Sequence, residues 1–267
     1  MKMDSKTLQE LTYKIIEIAK DAARVIMQVY MDPKGFAVER KEDHTPVTRA
    51  DQLSSRIIER GLNQLFPEAL VVSEEGTQWS YDERKRYDHI FLVDPLDGTK
   101  EFVKRNDEFY INIALIEKGK PVLGVILAPA KEQVFFAHEN GGAWQLMPNG
   151  ETKRYLSSPF SWKDNQLRFI TSRSHMNTET TTFIRGFAEP VILQRGSAIK
   201  FAWIARGDAD IYPKIGRTME WDTAAGQVLL EEAGGQVLEF ISRQPLRYNK
   251  EDLANPNFLA LGKIRFV

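Results

Sequence analysis

Apolar residues near the start of the chain recur in steps of three and four, at Leu8, Leu11, Ile15, Ile18, Ala22, Val25 and Val29. That spacing predicts one long helix from about Asp4 to Tyr30 with a single apolar stripe. The stripe holds a seven-residue register for about three heptads, which suits a helix packed on a core, with a homodimer seam as the alternative. Asp32-Pro33-Lys34-Gly35 supplies the turn that ends it. Phe36–Arg40 alternates like a strand. Helical spacing returns from about Thr48 to Phe66, and Pro67 stops it.

A short apolar strand, Leu70–Ser73, is followed by a polar excursion through Tyr87. Ile90–Val93 is a second compact strand and runs directly into Asp94. Next comes a β-rich block of Tyr110–Glu117, Val122–Leu127, Gln133–Ala137 and Ala143–Leu146, with turns at Gly119-Lys120-Pro121 and Asn140-Gly141-Gly142. This half reads as helices stacked on a mostly antiparallel sheet.

After Gly150 the rhythm alternates. Strands are expected at Leu167–Thr171, Pro190–Leu193, Asp210–Tyr212, Gln236–Phe240 and Asn257–Leu261. Helices are expected at Thr178–Phe187, Ala198–Ala205 and Trp221–Ala233, the last ended by Gly234-Gly235. Such alternation predicts α/β layering. A soft boundary near Thr152–Ser158 divides the chain into an N-terminal α+β part, 1–153, and a C-terminal α/β part, 154–267.

Composition narrows the class. The 267 residues are 42% hydrophobic and 27% charged, which suits a globular chain with a sizeable core. The 36 basic and 37 acidic residues leave no basic excess, which disfavours a nucleic-acid coat. The densest basic run, Glu83-Arg84-Lys85-Arg86, reads as a solvated face. There is no cysteine, so disulfides, thiolate nucleophiles and zinc–sulfur sites are excluded. No apolar signal core or membrane-length apolar run appears, so a cytoplasmic enzyme without a membrane span is expected. His44, His89, His138 and His175 lack metal spacing and read as loop or surface residues.

The chemistry concentrates in acids. Asp94-Pro95-Leu96-Asp97-Gly98-Thr99 follows a strand end, where ligand sites collect in layered α/β proteins. Pro95 fixes the backbone and Gly98 permits an unusual angle or a close approach. Glu74 and Glu75 follow another strand. Asp222 heads a helix, where an acid can also serve simply as a cap. Four clustered acids would repel one another at neutral pH without cations. Mg²⁺ favours oxygen ligands, and paired metals can stabilise the attacking and leaving oxygens of phosphoryl transfer.

These residues resemble the inositol monophosphatase superfamily of Li⁺-sensitive, Mg²⁺-dependent phosphatases. The resemblance lies in Asp94–Thr99, in Trp221-Asp222-Thr223-Ala224-Ala225-Gly226 with Glu232–Gly235, in Pro46–Asp51, and in Ser73-Glu74-Glu75-Gly76. It implies a layered αβαβα sandwich of the inositol monophosphatase/fructose-1,6-bisphosphatase type. It also implies two to three Mg²⁺ ions. Glu74, Asp94 and the Leu96 carbonyl would hold one, and Asp94, Asp97 and Asp222 a second. A weaker third would lie near Glu74, with Asp51 and Thr99 activating water.

Lys100-Glu101-Phe102, Gly196–Phe201, Ala209–Lys214 and Thr218-Met219-Glu220 are similar to the 3′(2′),5′-bisphosphate nucleotidase branch, which serves sulfur assimilation. The implied reaction is removal of the 3′-phosphate from adenosine 3′,5′-bisphosphate. The implied substrate contacts are Gly98, Thr99, Ser197, Lys200, Lys214 and Glu220. Arg195, Lys200, Lys214 and Arg217 could meet a second anion. Phe201, Trp203 and Tyr212 could stack on a base or simply fill the core. Two other readings stay open, an inositol or sugar phosphatase and a non-catalytic nucleotide or Mg²⁺ sensor.

Overall fold

The computed structural model describes residues 3–32, 38–40, 46–173 and 176–265. The predicted turn at Pro33–Gly35, the start of the Phe36 strand, His44 and His175 lie outside the described residues.

In the first half, α1 (Ser5–Tyr30) precedes a small hairpin of β1 (Val38–Arg40) and β2 (Pro46–Thr48). Then come α2 (Arg49–Leu65), β3 (Leu70–Ser73), short α3 (Tyr81–Arg84), β4 (His89–Asp97) and short α4 (Thr99–Val103). A meander of β5 (Tyr110–Glu117), β6 (Lys120–Ala128), β7 (Gln133–His138), β8 (Gly142–Leu146) and β9 (Thr152–Tyr155) follows. Strands β3 to β9 lie side by side in chain order as a seven-stranded sheet, in which only the β3–β4 pair is parallel.

In the second half, β10 (Pro159–Phe160), β11 (Arg168–Ser172), α5 (Thr178–Arg185), β12 (Val191–Arg195) and α6 (Ile199–Ala205) come first. They are followed by β13 (Ile211–Lys214), a 3₁₀ turn (Glu220–Asp222), α7 (Ala224–Glu232), β14 (Gln236–Glu239), β15 (Phe258–Leu261) and β16 (Lys263–Ile264). A five-stranded sheet runs β12-β11-β13-β15-β14, and β16 pairs with β10. The expected boundary near Thr152–Ser158 falls across edge strand β9 and the segment after it. Beyond that strand the chain leaves the first sheet.

The large sheet is covered on both faces, and its strands are therefore nearly continuous apolar runs. Val71, Phe91, Val93, Ile111, Ile113 and Leu115 pack with Leu8, Ile15, Ile26, Ile58 and Leu62 of α1 and α2. Their neighbours in sequence, such as Val72, Leu92, Ala114 and Ile116, face α6 and α7 through Ala202, Val228 and Leu229. The smaller sheet repeats the pattern. Ile170, Tyr212, Phe258 and Ala260 join that middle core, while Phe169, Ile211, Leu259 and Leu261 pack with Ile184 of α5. The order is thus helices, sheet, helices, sheet, helix, the expected αβαβα sandwich. At the second interface the layers touch closely, for a Cβ on Gly124 of β6 would stand 2.5 Å from the Ala225 carbonyl oxygen of α7.

Three details depart from expectation. On α1 the buried face is Leu8, Thr12, Ile15, Ile16, Ala19, Ala22, Ala23, Ile26 and Tyr30, while Val25 and Val29 are only partly covered. A straight helix drifts about 20° per heptad from a seven-residue repeat, so the stripe rotates and follows α2 and the sheet. His138 is buried in β7, its Nδ1 3.2 Å from the Glu139 carbonyl oxygen, and His89 sits half-buried in β4. Arg84 is buried too, donating to Asn249 Oδ1 and to the carbonyls of Trp79, Lys250 and Glu251. The run around it is therefore no plain solvated face. One arginine ties α3 to the 249–251 loop.

Candidate active site

The β4 strand carries the first two acids. Asp94 pairs with Asn112 of β5 and Asp97 with Tyr110, so β4 uses one residue more than its partner between these pairs. In a regular strand two residues three apart point to opposite faces. The extra residue is a bulge, and bulges re-aim side chains. Here Asp94 and Asp97 both line one cavity of about 290 Å³. Two bonds hold the distortion. Leu96 N–H donates to Asp94 Oδ1 at 3.0 Å, and Ser54 of α2 donates its hydroxyl to the Pro95 carbonyl at 2.8 Å.

Gly98 follows with φ +98°. A Cβ there would stand 2.4 Å from Ser197 Oγ and 2.9 Å from the Glu108 carbonyl oxygen. The glycine thus lets the Gly196–Ser197 turn close over β4. Once it is closed, Ala198 N–H donates to Asp97 Oδ2 at 2.6 Å.

Glu74 stands at the end of β3, where its N–H reaches the Val93 carbonyl at 3.0 Å. Asp222 ends the 3₁₀ turn before α7 and does not cap α7 with its side chain. Its Oδ2 accepts from Met219 N–H at 2.8 Å. Glu74, Asp94 and Asp222 each bring a carboxylate oxygen within 4.8 Å of the others. Three oxygens of this kind are the donor set a hard divalent cation takes. Glu75 is half-buried and does not line the cavity.

The electrostatics match crowded acids. Burial, then the charges of Glu74, Asp97 and Asp222, push Asp94 well above the usual carboxylate range. Burial and the charges of Asp97 and Glu74 push Asp222 up to about 8. Asp97 is raised by burial, but Lys200, the Ala198 N–H and Asn112 oppose the rise.

Asp51 lies beneath the cavity, 2% exposed, as part of the capping box of α2. Its Oδ2 accepts from the N–H and hydroxyl of Thr48 at 2.8 and 2.6 Å. That leaves Oδ1 for the Thr99 hydroxyl, 3.0 Å away. The same hydroxyl lies 3.3 Å from the Leu96 carbonyl, a weaker alternative. Burial is the main cause of the raised Asp51 pKa. Thr99 and Leu96 line the cavity, so Asp51 reaches it only through Thr99.

The cavity also carries cations. Lys200, Lys214 and Arg217 line it, together with Ser197 and Tyr212. Burial brings Lys200 down to about 8, against the pull of Asp97, and also lowers Lys214. Lys200 Nζ lies over the Tyr212 ring at 5.0 Å. Phe201 lines the cavity from the core, whereas Trp203 and Arg195 lie in a neighbouring cavity.

Glu220, expected at the substrate, is fully buried and does not line the cavity. Its carboxylate accepts from the backbone N–H groups of Asn249 and Lys250 at 2.6 and 3.1 Å, and from the Lys250 ammonium. A strong set of donors on the 249–250 loop has turned it inward.

Asn112 went unremarked in the sequence. It is 1% exposed and its Nδ2 lies 3.3 Å from Asp97 Oδ2. The signal was there, since an amide in the apolar run Tyr110–Glu117, buried on both faces, needs a polar partner.

Comparison with known proteins agrees with this geometry. Residues 7–263 match the inositol monophosphatase family. A curated 3′(2′),5′-bisphosphate nucleotidase CysQ of Salmonella typhimurium is 38% identical over 246 residues, covering 92% of this chain and 97% of the relative. CysQ from Bacteroides thetaiotaomicron, a solved bacterial member of the family, superposes with TM-score 0.83 at 36% identity, covering 96% of this chain and 98% of that one. An inositol monophosphatase of Thermotoga maritima superposes with TM-score 0.75 at 27% identity, covering 95% and 92%. With residues 7–263 matched and Glu74, Asp94, Asp97 and Asp222 lining one cavity, the chain belongs to the inositol monophosphatase family.

Proposed function

We propose that this chain is a Mg²⁺-dependent 3′(2′),5′-bisphosphate nucleotidase that removes the 3′-phosphate of adenosine 3′,5′-bisphosphate, giving AMP and phosphate. One observation carries the reading. One cavity is lined both by the acids Glu74, Asp94, Asp97 and Asp222 and by the cations Lys200, Lys214 and Arg217. The likeness to curated nucleotidases over 92% of the chain supports the nucleotide as substrate.

In this reading Glu74, Asp94 and Asp222 hold divalent cations, joined by Asp97 and the Leu96 carbonyl. The donor set fits, because crowded carboxylates displaced so far upward call for positive charge. Bound Mg²⁺ would polarise the phosphate and acidify water.

The protein's own groups do the positioning. Thr99 Oγ takes a proton from the attacking water as its own proton passes to Asp51 Oδ1 along the 3.0 Å bond, so Thr99 stays a hydroxyl and Asp51 ends protonated. Asp51 suits this role because its raised pKa makes it a stronger base than an exposed aspartate. Lys200, Lys214 and Arg217 bind the phosphate that is not cleaved, and Ser197 and Gly98 shape the floor beneath it. Phosphoryl transfer needs little more than position and charge balance.

Phosphate release from adenosine 3′,5′-bisphosphate and from inositol 1-phosphate, measured side by side in Mg²⁺, tests this. Faster turnover of the bisphosphate supports the proposal. Faster turnover of inositol 1-phosphate would make the chain an inositol phosphatase. Tight nucleotide binding with no phosphate release would make it a sensor.

A further inference from the structure

Beside the catalytic cavity lies a second one of about 490 Å³, whose polar lining is mainly cationic. Lys131, Arg173, Arg195 and Arg206 border it, against one carboxylate, Glu108. Asp208 pairs with Arg206 nearby. Counting that partner, the site holds an excess of about two positive charges.

The aromatic wall is unusual. Trp203 is half-buried, with the Arg195 guanidinium 4.1 Å from its ring centroid and the Arg206 guanidinium 5.6 Å away. One indole thus holds two cations beside the same cavity. The Arg195 guanidinium donates to the carbonyl of its neighbour Gln194 at 2.7 Å. Planar guanidinium groups held by stacking are prepared for bidentate bonds to phosphate oxygens.

The cavity is also wired to its neighbour. Glu108 accepts from Arg173 at 3.0 Å through Oε1 and from Gly196 N–H at 3.2 Å through Oε2. Gly196 lines the catalytic cavity, so Glu108 and the Arg195–Gly196 turn form the wall between the two.

The structure assigns this second cavity as a binding site for a phosphate-bearing small molecule with two or more negative charges. The ligand seats against Arg195 beside Trp203, with Lys131 and Arg173 bordering it and Arg206, its fork held by Asp208, adding charge. Its charge offsets the cationic excess, and the half-buried Trp203 ring accepts an attached flat or apolar group. The site stands apart from the metal-ligand acids and does not depend on the identity of the substrate.

Inorganic pyrophosphate is the probe, titrated calorimetrically into the full chain in excess chelator, where the acids of the catalytic cavity repel anions. Wild type is expected to bind it, more weakly as salt rises. Arg195→Gln and Lys131→Gln are each expected to weaken binding at least tenfold, with thermal midpoints unchanged. Lys214→Gln, in the catalytic cavity, is expected to stay within twofold of wild type. No binding by wild type would overturn the assignment. So would binding lost in Lys214→Gln and kept in both Arg195→Gln and Lys131→Gln.

Discussion

Replacing Asp222 by Asn should make the metal-free protein more stable while removing its activity. Asp222 has a carboxylate value near 8 in the folded chain, against an ordinary 3.8. Between those values the folded protein holds a proton that the unfolded chain releases, so stability falls as pH rises from about 4 to about 8. At about 1.4 kcal/mol per pH unit, the whole displacement would cost roughly 5 kcal/mol by pH 8. Asp94, Asp97 and Glu74 share that repulsion, and water relaxes part of it, leaving about 2 kcal/mol for Asp222 alone. Asn keeps a carbonyl for Met219 N–H and removes the charge.

The assay is thermal unfolding of wild type and variant in excess chelator at pH 8 and pH 5, and again with Mg²⁺. For a chain of this size about 2 kcal/mol is roughly 4–8 °C. The variant should melt that much higher at pH 8 in chelator, with the gap closing towards pH 5, where folded Asp222 keeps its proton. Mg²⁺ should raise wild type far more than the variant. A variant no more stable than wild type at pH 8, or an equal Mg²⁺ response in both, would refute the reasoning.

Thr99→Ala and Asp51→Asn should each lower kcat at least 100-fold with a small change in KM, since general-base assistance is worth about 10²–10⁴; steady-state phosphate release checks this, and near-normal kcat in both would exclude the relay. Gly98→Ala should lose about 2 kcal/mol or more, because a left-handed alanine is strained by about 1–2 kcal/mol and its Cβ must also displace Ser197; urea denaturation reads the loss, and a change under about 0.5 kcal/mol would contradict it. Glu220→Gln should loosen the turn that presents Asp222, raising the Mg²⁺ concentration needed for half-maximal rate several-fold while saturating Mg²⁺ restores most turnover. A changed substrate KM with an unchanged Mg²⁺ requirement would return Glu220 to the substrate.

The layered fold was legible because burial on both sheet faces leaves long apolar runs such as Tyr110–Glu117, and turn residues mark where they end. The acids were legible because Asp94, Asp97 and Asp222 sit at element ends with restricted backbones around them. The bulge that turns Asp94 and Asp97 the same way was not, since it depends on pairing with β5, a partner the local sequence does not name. The burial of Glu220 was not legible for a related reason. Its neighbours in the chain suggest a site, and only the fold brings Asn249 and Lys250 to it. Arg195 and Lys200 are five residues apart yet face different cavities, because a strand end, a turn and a helix start lie between them.

The central claim is that Glu74, Asp94 and Asp222 converge to hold divalent cations. Diffraction from crystals grown in chelator and then soaked in Mn²⁺, collected near the manganese edge, tests it most directly. The account predicts anomalous density bounded by Glu74, Asp94 and Asp222, within coordination distance of their carboxylate oxygens. An anomalous map empty there, with manganese bound elsewhere or nowhere, would contradict it.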